Sequence, residues 1–161
     1  MISCKYLFEN HFLGGKECYL NATNGIITSP GWPASYGINL DCKTVISVGL
    51  KERVYLEFSA FFLEISAYCK YDFVEIIDGS SSEKYCGTFT PPAMASQTNQ
   101  LTIRFVSDDS DTYKGFLATY QKVNCEYLSS FNFFPCNSKH KLLLQRLCHK
   151  WPVKLNNSML R

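Results

Sequence analysis

The chain lacks the motifs that mark most hydrolases and nucleotide-binding enzymes. It has no HExxH sequence, no G-x-S-x-G nucleophile elbow and no glycine-rich phosphate loop. Its three histidines, which would be the usual general bases, are His11, His140 and His149, and all lie outside the middle of the chain. We therefore expect a protein without enzymatic activity.

The chain also lacks a long apolar run. Residues 1–17 are interrupted by Lys5, Glu9 and His11, whereas a signal peptide needs an apolar stretch of roughly 7–15 residues. No segment has the length that a transmembrane helix requires. The eight cysteines form no C-x-x-C pair, which disfavours zinc ribbons and thioredoxin-like sites, and their number favours an oxidising compartment. We expect an extracellular chain that is a piece, or an incomplete or alternative product, of a larger secreted or membrane-anchored protein.

Two acceptor triplets for N-glycans agree with an extracellular location. They begin at Asn21 and Asn156 and read NAT and NNS. Such triplets also arise by chance, so they support the location without establishing it.

Charge is distributed unevenly. Residues 1–121 hold nine Lys or Arg and thirteen Asp or Glu, a net charge of −4. Residues 122–161 hold seven Lys or Arg and one Glu, a net charge of +6. A basic segment can bind anionic glycans, membrane surfaces or nucleic acid, although a solvated extension is the simpler expectation.

The middle of the chain shows the period of two that is typical of β-strands. Apolar residues alternate with other residues at 54–59, 101–105 and 116–120. Turn-rich clusters separate the runs, among them SPGWP at 29–33 and SDDSD at 107–111. This pattern predicts an all-β fold, an antiparallel sandwich of two sheets in which each strand has one buried face.

The order of three motifs resembles a CUB domain of the calcium-binding kind. The motifs are GIITSPGWPASYG, CKYDFVEIIDG and VSDDSDTYKGF, and the resemblance extends from Cys18 to about Tyr120. The run FFLEISAYCKYDFVEIIDG looks most like the CUB domains that precede zona-pellucida-type domains. The resemblance implies a jelly-roll-like sandwich at 18–121, between an N-terminal flank at 1–17 and a basic, cysteine-containing tail at 122–161.

The resemblance also implies two disulfides, Cys18 with Cys42 and Cys69 with Cys86. The second would join the strand FVEII to the strand after the DGSSSEK turn. Closing a loop of that size stabilises a domain by roughly 3 kcal/mol in the chain-entropy model. Three pairings are open for the remaining cysteines, which are Cys4, Cys125, Cys136 and Cys148.

A calcium site formed by Glu64, Asp72 and Asp108 is a further implication of the resemblance. Ser110 and Asp111 are expected to contribute additional ligands. The chemistry agrees, because Ca²⁺ takes about 6–8 oxygen ligands from loops distant in sequence, and loops meet at one end of a sandwich. The alternative is that these are ordinary solvated loop acids.

Three carboxylates around Ca²⁺ would keep a charge near −1 and could accept hydrogen bonds from a lysine of a partner. In the resembling family a tyrosine, here Tyr36, positions the carboxylates and contacts that lysine. Alternatively, Tyr36 is a rim aromatic that only packs, or its hydroxyl is satisfied locally. A glycosidase role for Glu64 and Asp72 is disfavoured, because acids gathered around calcium are poor proton donors. We predict a non-enzymatic extracellular module for protein binding or adhesion.

Two other functions stay open. The basic tail could bind glycan or heparin without calcium, or the domain could be an inert spacer; we expect no nucleic-acid partner. Within the tail, HKLLLQRLCHK could form a short helix stopped by Pro152, or the segment could remain unpacked. A zinc site is a weak alternative there, from Cys136, His140, Cys148 and His149.

Overall fold

The computed structural model describes residues 16–21 and 23–124, and for residues 16–18 it describes the backbone only. The described part is all-β, which confirms the predicted fold class. One 3₁₀ turn, Ala67–Cys69, interrupts the strands. The described residues form β1 (Lys16–Leu20), β2 (Asn24–Thr28), β3 (Asp41–Ser47), β4 (Glu52–Phe62), β5 (Phe73–Asp78), β6 (Ser81–Tyr85), β7 (Met94–Ala95), β8 (Gln100–Val106) and β9 (Gly115–Asn124).

The strands form two sheets. One has five strands in the order β1-β3-β8-β5-β6, and the other has four in the order β2-β9-β4-β7. The pairing of β1 with β3 is parallel, so the expectation of purely antiparallel sheets is wrong at this edge. The reason is the connection: β2 lies between them in sequence but belongs to the other sheet, and the chain returns by a crossover, which parallel pairing requires.

The core lies between the sheets and follows the predicted alternation. Val54, Leu56 and Phe58 of β4 are buried. Tyr55, on the opposite face of β4, is also buried, so the expectation of a solvent-exposed face fails at this position, whereas Glu57 is half-buried and Ser59 is exposed. The remaining inward-facing residues of the predicted runs are buried as well, namely Leu101, Ile103, Phe105, Phe116, Ala118 and Tyr120.

The Cys69–Cys86 disulfide is present, as predicted, with 5.5 Å between the two Cα atoms. Its first cysteine lies in the 3₁₀ turn before β5 and its second directly follows β6, so it joins the ends of these elements and not the strand FVEII itself. Cys42 is buried on the inner face of β3. Because the side chain of Cys18 lies outside the described residues, the Cys18–Cys42 pair stays a prediction, which peptide mapping without reduction would test.

The chain divides into two units after Val123. The predicted boundaries at 17/18 and 121/122 stay predictions. Among the described residues, no helix is long and apolar enough to cross a membrane. Several predictions lie outside the described residues, namely residues 1–15 of the N-terminal flank, the tail helix, the zinc alternative, the glycan site at Asn156 and the pairing of Cys4, Cys125, Cys136 and Cys148.

Candidate metal centre and partner site

Three carboxylates from distant parts of the chain meet at one end of the sandwich. Glu64 follows β4 by two residues, Asp72 directly precedes β5 and Asp108 follows β8 by two residues. One carboxylate oxygen from each lies within 4.8 Å of the others. Strand pairing brings Asp72 and Asp108 together, because β5 and β8 pair antiparallel with Phe73 opposite Val106. Glu64 comes from the other sheet, so the cluster spans both layers.

Asp72 is the fully buried member of this cluster. Its side chain is 0 % exposed. Oδ2 accepts a 2.6 Å hydrogen bond from the Tyr36 hydroxyl, and Oδ1 accepts a 2.8 Å hydrogen bond from the backbone N–H of Asp108. A buried carboxylate is costly unless such partners compensate its lost hydration. The orientation of Asp72 is therefore set by the protein itself.

Tyr36 connects the elements that carry the three acids. Its hydroxyl donates to Asp72 and accepts a 3.3 Å hydrogen bond from the backbone N–H of Glu64. Its ring packs edge-on against Phe105 with 5.1 Å between centroids. Burial, followed by the hydrogen bond to Asp72 and its charge, raises the pKa of Tyr36 far above its ordinary value. The hydroxyl therefore remains a donor across the physiological pH range.

The burial of Tyr36 favours one of its two expected roles, positioning the carboxylates, over the other, contact with a partner lysine. The side chain is only 2 % exposed, so it is not a rim aromatic. The hydrogen bonds to Asp72 and Glu64 agree with the positioning role. Direct contact with a partner lysine stays a prediction, and little of the ring is accessible for it.

Glu64 carries the least satisfied group of the cluster. The residue is half-buried, and its Oε2 is buried without a hydrogen-bond partner among the residues that the structure describes. Burial raises the pKa of Glu64, and the negative charges of Asp72, Asp108 and Asp111 raise it further. A cation among these acids would remove both the repulsion and the unmet acceptor.

The loop after β8 holds Asp108 through local hydrogen bonds. Oδ1 of Asp108 accepts from the backbone N–H of Ser110 at 3.0 Å and from the Ser110 hydroxyl at 3.3 Å. The backbone carbonyl of Asp108 accepts from Asn39 N–H at 2.6 Å. Asp111 is exposed, and it acts on Glu64 through its charge but does not belong to the three grouped carboxylates. The roles of Ser110 and Asp111 as metal ligands stay predictions.

Ser107 is a supporting residue that the sequence analysis missed. Its hydroxyl accepts from Leu40 N–H at 3.1 Å and donates to the carbonyl of Gly37 at 2.8 Å, and its N–H donates to the carbonyl of Leu40 at 2.9 Å. These bonds tie the loop that carries Tyr36 to the end of β8. The only signal in the sequence was that Ser107 directly precedes Asp108, within a cluster that also fits an ordinary turn.

Comparison with known proteins agrees with this architecture. The profile of the CUB domain matches residues 14–120. The chain belongs to the CUB domain family. In Tolloid, bone morphogenetic protein 1, cubilin and MASP, CUB domains are extracellular modules of protein interaction, and the CUB domain itself is a non-catalytic module.

Three relatives illustrate the likeness. Mouse Tolloid-like protein 2 is 39% identical over 107 residues, which cover 63% of this chain and 11% of that protein. Bone morphogenetic protein 1 of Xenopus laevis is 37% identical over 122 residues, which cover 71% of this chain and 17% of that protein. The solved structure of the MASP-1 CUB2 domain bound to Ca²⁺ is 29% identical with a TM-score of 0.61, covering 64% of this chain and 96% of that one. This chain spans only a small part of the two larger relatives.

Proposed function

We propose that the CUB domain of this chain binds Ca²⁺ through Glu64, Asp72 and Asp108 and uses that site to bind a lysine of an extracellular protein partner. The observation that carries the proposal is the grouping of these carboxylates around a glutamate oxygen that is buried and unpaired among the described residues. Such a group is destabilising by itself, so a site that contains it is expected to hold a cation.

The donor set supports calcium in particular. All three candidate ligands are carboxylate oxygens, and hard oxygen donors are those that Ca²⁺ prefers. Among the residues that the structure describes, no histidine or thiol belongs to this cluster, which disfavours zinc and copper. The similar MASP-1 CUB2 domain was solved bound to Ca²⁺. Asp111 and the loop carbonyls near Ser110 are candidates for further ligands.

Charge supports lysine as the guest. Bound Ca²⁺ would neutralise two of the three carboxylate charges and leave the cluster near −1. Hydrogen bonds within the protein hold Asp72 and Asp108 in fixed orientations. Carboxylate oxygens that do not bind the metal can then accept hydrogen bonds from an ammonium group. A site organised before binding loses less entropy when a flexible lysine is captured.

The exposed position of Asn21 is compatible with the predicted glycan and with an extracellular setting. Residue Thr23 of the same triplet is exposed as well. Modification at Asn21 would be seen as a mass shift that peptide N-glycosidase removes.

Calorimetric titration of the EDTA-stripped chain with Ca²⁺ tests the metal half of the proposal. Asp108→Asn should weaken binding at least about tenfold, since it removes a charged ligand while keeping an oxygen for Ser110. Asp109→Asn is the matched control, because it removes an exposed charge from the neighbouring residue in the same loop. Equal calcium affinity in both variants and the parent would overturn the assignment of this site.

The proposed binding of a lysine is tested by fluorescence polarisation of a labelled Gly-Lys-Gly-Ser peptide that is blocked at its ends. Binding should require both calcium and the lysine, so EDTA or replacement of the peptide lysine by glutamine should abolish it. A partner whose binding survives EDTA, falls steeply with salt and is lost when residues 122–161 are deleted would instead favour the glycan-type function of the basic tail.

A further inference from the structure

Three large apolar side chains are exposed on the segments that follow Glu64 and that are linked to it by backbone hydrogen bonds and the disulfide. Tyr68 is fully exposed, Ile65 is 81 % exposed and Phe89 is 78 % exposed. Single exposed apolar residues are ordinary, but an apolar patch on a soluble domain marks an interaction surface. We call these three residues the apolar patch.

Backbone pairing places Ile65 and Phe89 beside the acidic cluster. Ile65 directly follows Glu64, and the carbonyl of Glu64 accepts a 3.0 Å hydrogen bond from Gly87 N–H. The Ile65 side chain lies 3.5 Å from the position that a Cβ would occupy on Gly87. Phe89 follows two residues later, so the segments that carry Ile65 and Phe89 are held together next to the carboxylates.

The disulfide adds Tyr68 to the same region. Tyr68 precedes Cys69, which is bonded to Cys86, and Cys86 directly precedes Gly87. The backbone of Tyr68 has φ 58° and ψ 22°, and Cys69 has φ 49°. This left-handed conformation is unfavourable for a bulky residue, and it persists only where the surroundings impose it. The turn thus presents a fully exposed aromatic ring from a constrained backbone.

We infer that the segment bound at the acidic cluster carries an apolar side chain within a few residues of its lysine, and that this side chain packs on Ile65, Tyr68 and Phe89. The inference rests on the proposed lysine site and specifies its partner further. Charge complementarity selects a cation for the carboxylates, and the adjoining patch selects an apolar group beside it. An aromatic side chain covered in this way buries roughly 150–250 Å², so the patch can add affinity as well as selectivity.

Sets of four blocked peptides test this, one set for each separation of one to four residues. Each set has lysine or glutamine at one position and leucine or serine at a second. Their dissociation constants are measured by fluorescence polarisation on the full chain in calcium. At the best separation, leucine should tighten binding of the lysine peptide about tenfold relative to serine. The double variant Tyr68→Ser, Phe89→Ser should remove that gain and leave the affinity of the lysine–serine peptide unchanged.

Leu50→Ser is the matched control. Leu50 is 86 % exposed, but it precedes β4 by two residues whereas Glu64 follows β4, and a strand of eleven residues is roughly 35 Å long. This variant should keep the leucine gain. All substituted positions are exposed, and thermal melts should confirm intact folding.

The outcomes separate the two hypotheses. If the lysine peptides bind in calcium but leucine adds nothing at any separation, or if the double variant keeps the gain, the apolar patch is not an anchor and the lysine site stands. If no peptide with lysine binds better than its glutamine counterpart, the lysine site fails and the inference fails with it.

Discussion

The Tyr36 hydroxyl and Oδ2 of Asp72 are joined by a 2.6 Å hydrogen bond across 36 residues of sequence. Both side chains are buried, and the bond links the loop between β2 and β3 to the first residue before β5. Hydrogen bonds to a buried charge are stronger than those between neutral groups, and an orphaned partner is costly. The order of the acidic cluster therefore depends on a residue that is not itself acidic.

Tyr36→Phe should lower the free energy of unfolding by about 1–3 kcal/mol, because Oδ2 of Asp72 loses its hydroxyl donor while remaining buried. Urea denaturation in EDTA measures this loss. Tyr113→Phe is the control, since Tyr113 is partly exposed. If Tyr36→Phe costs no more than this control while Tyr36→Ala is strongly destabilising, then packing of the ring, and not its hydroxyl, is what the site requires.

Calcium should raise the melting temperature of the parent chain through mass action, since only the folded state brings the three acids together. At a hundredfold excess over the dissociation constant the stabilisation is about 2.7 kcal/mol. Differential scanning calorimetry should show the shift in the parent and in Asp109→Asn and a much smaller one in Asp108→Asn. A parent chain that melts identically in millimolar calcium and in EDTA would remove calcium from the proposal.

Gly115→Ala should destabilise the domain by about 1–3 kcal/mol. Gly115 has φ +85°, and a Cβ there would lie only 1.8 Å from the Ser29 hydroxyl oxygen, which accepts a hydrogen bond from Phe116 N–H. Gly37→Ala is the control, because nothing lies within 4 Å of its Cβ position and its φ is not in the strained region. Chemical denaturation measures the free energy of unfolding of both variants. Equal values would show that the start of β9 can accommodate the added methyl group.

Asp41 should contribute a stabilisation that depends on pH. The hydrogen bond from Arg104, and then its charge and that of Lys43, lower the pKa of Asp41 below its ordinary value of 3.8, although partial burial opposes the shift. Because the folded pKa is the lower one, the stabilisation is present above pH of about 4 and is lost as the pH falls through the folded pKa. The pair is exposed by more than a third on each side, so the effect is small.

Unfolding midpoints in urea between pH 2 and pH 6 measure this contribution. Asp41→Asn should reduce the acid-induced loss of stability, and Asp109→Asn, which removes a charge from an exposed loop, should not. An unchanged pH profile in Asp41→Asn would show that the Arg104 pair contributes nothing measurable.

Local patterning determined three of the nine described strands, β4, β8 and β9, because a period of two assigns each residue to a face without any knowledge of its partners, whereas β6 lies mostly within the segment predicted as the DGSSSEK turn. The predicted runs around Leu56, Ile103 and Ala118 are all buried where the alternation put them. The order of motifs was specific enough to indicate the family, the Cys69–Cys86 disulfide and the acids at 64, 72 and 108. These features depend on spacing along the chain, which a sequence shows directly.

Tertiary structure decided what depends on contacts between segments far apart in sequence. The parallel edge of β1 and β3 follows from the crossover through β2, and the burial of Tyr36 follows from the way its loop packs on Phe105. The role of Ser107 arises only when its hydroxyl meets Leu40 across 67 residues. Single residues in turns have the same local pattern whether they are solvated or structural, and only the packing of the two sheets distinguishes the two cases.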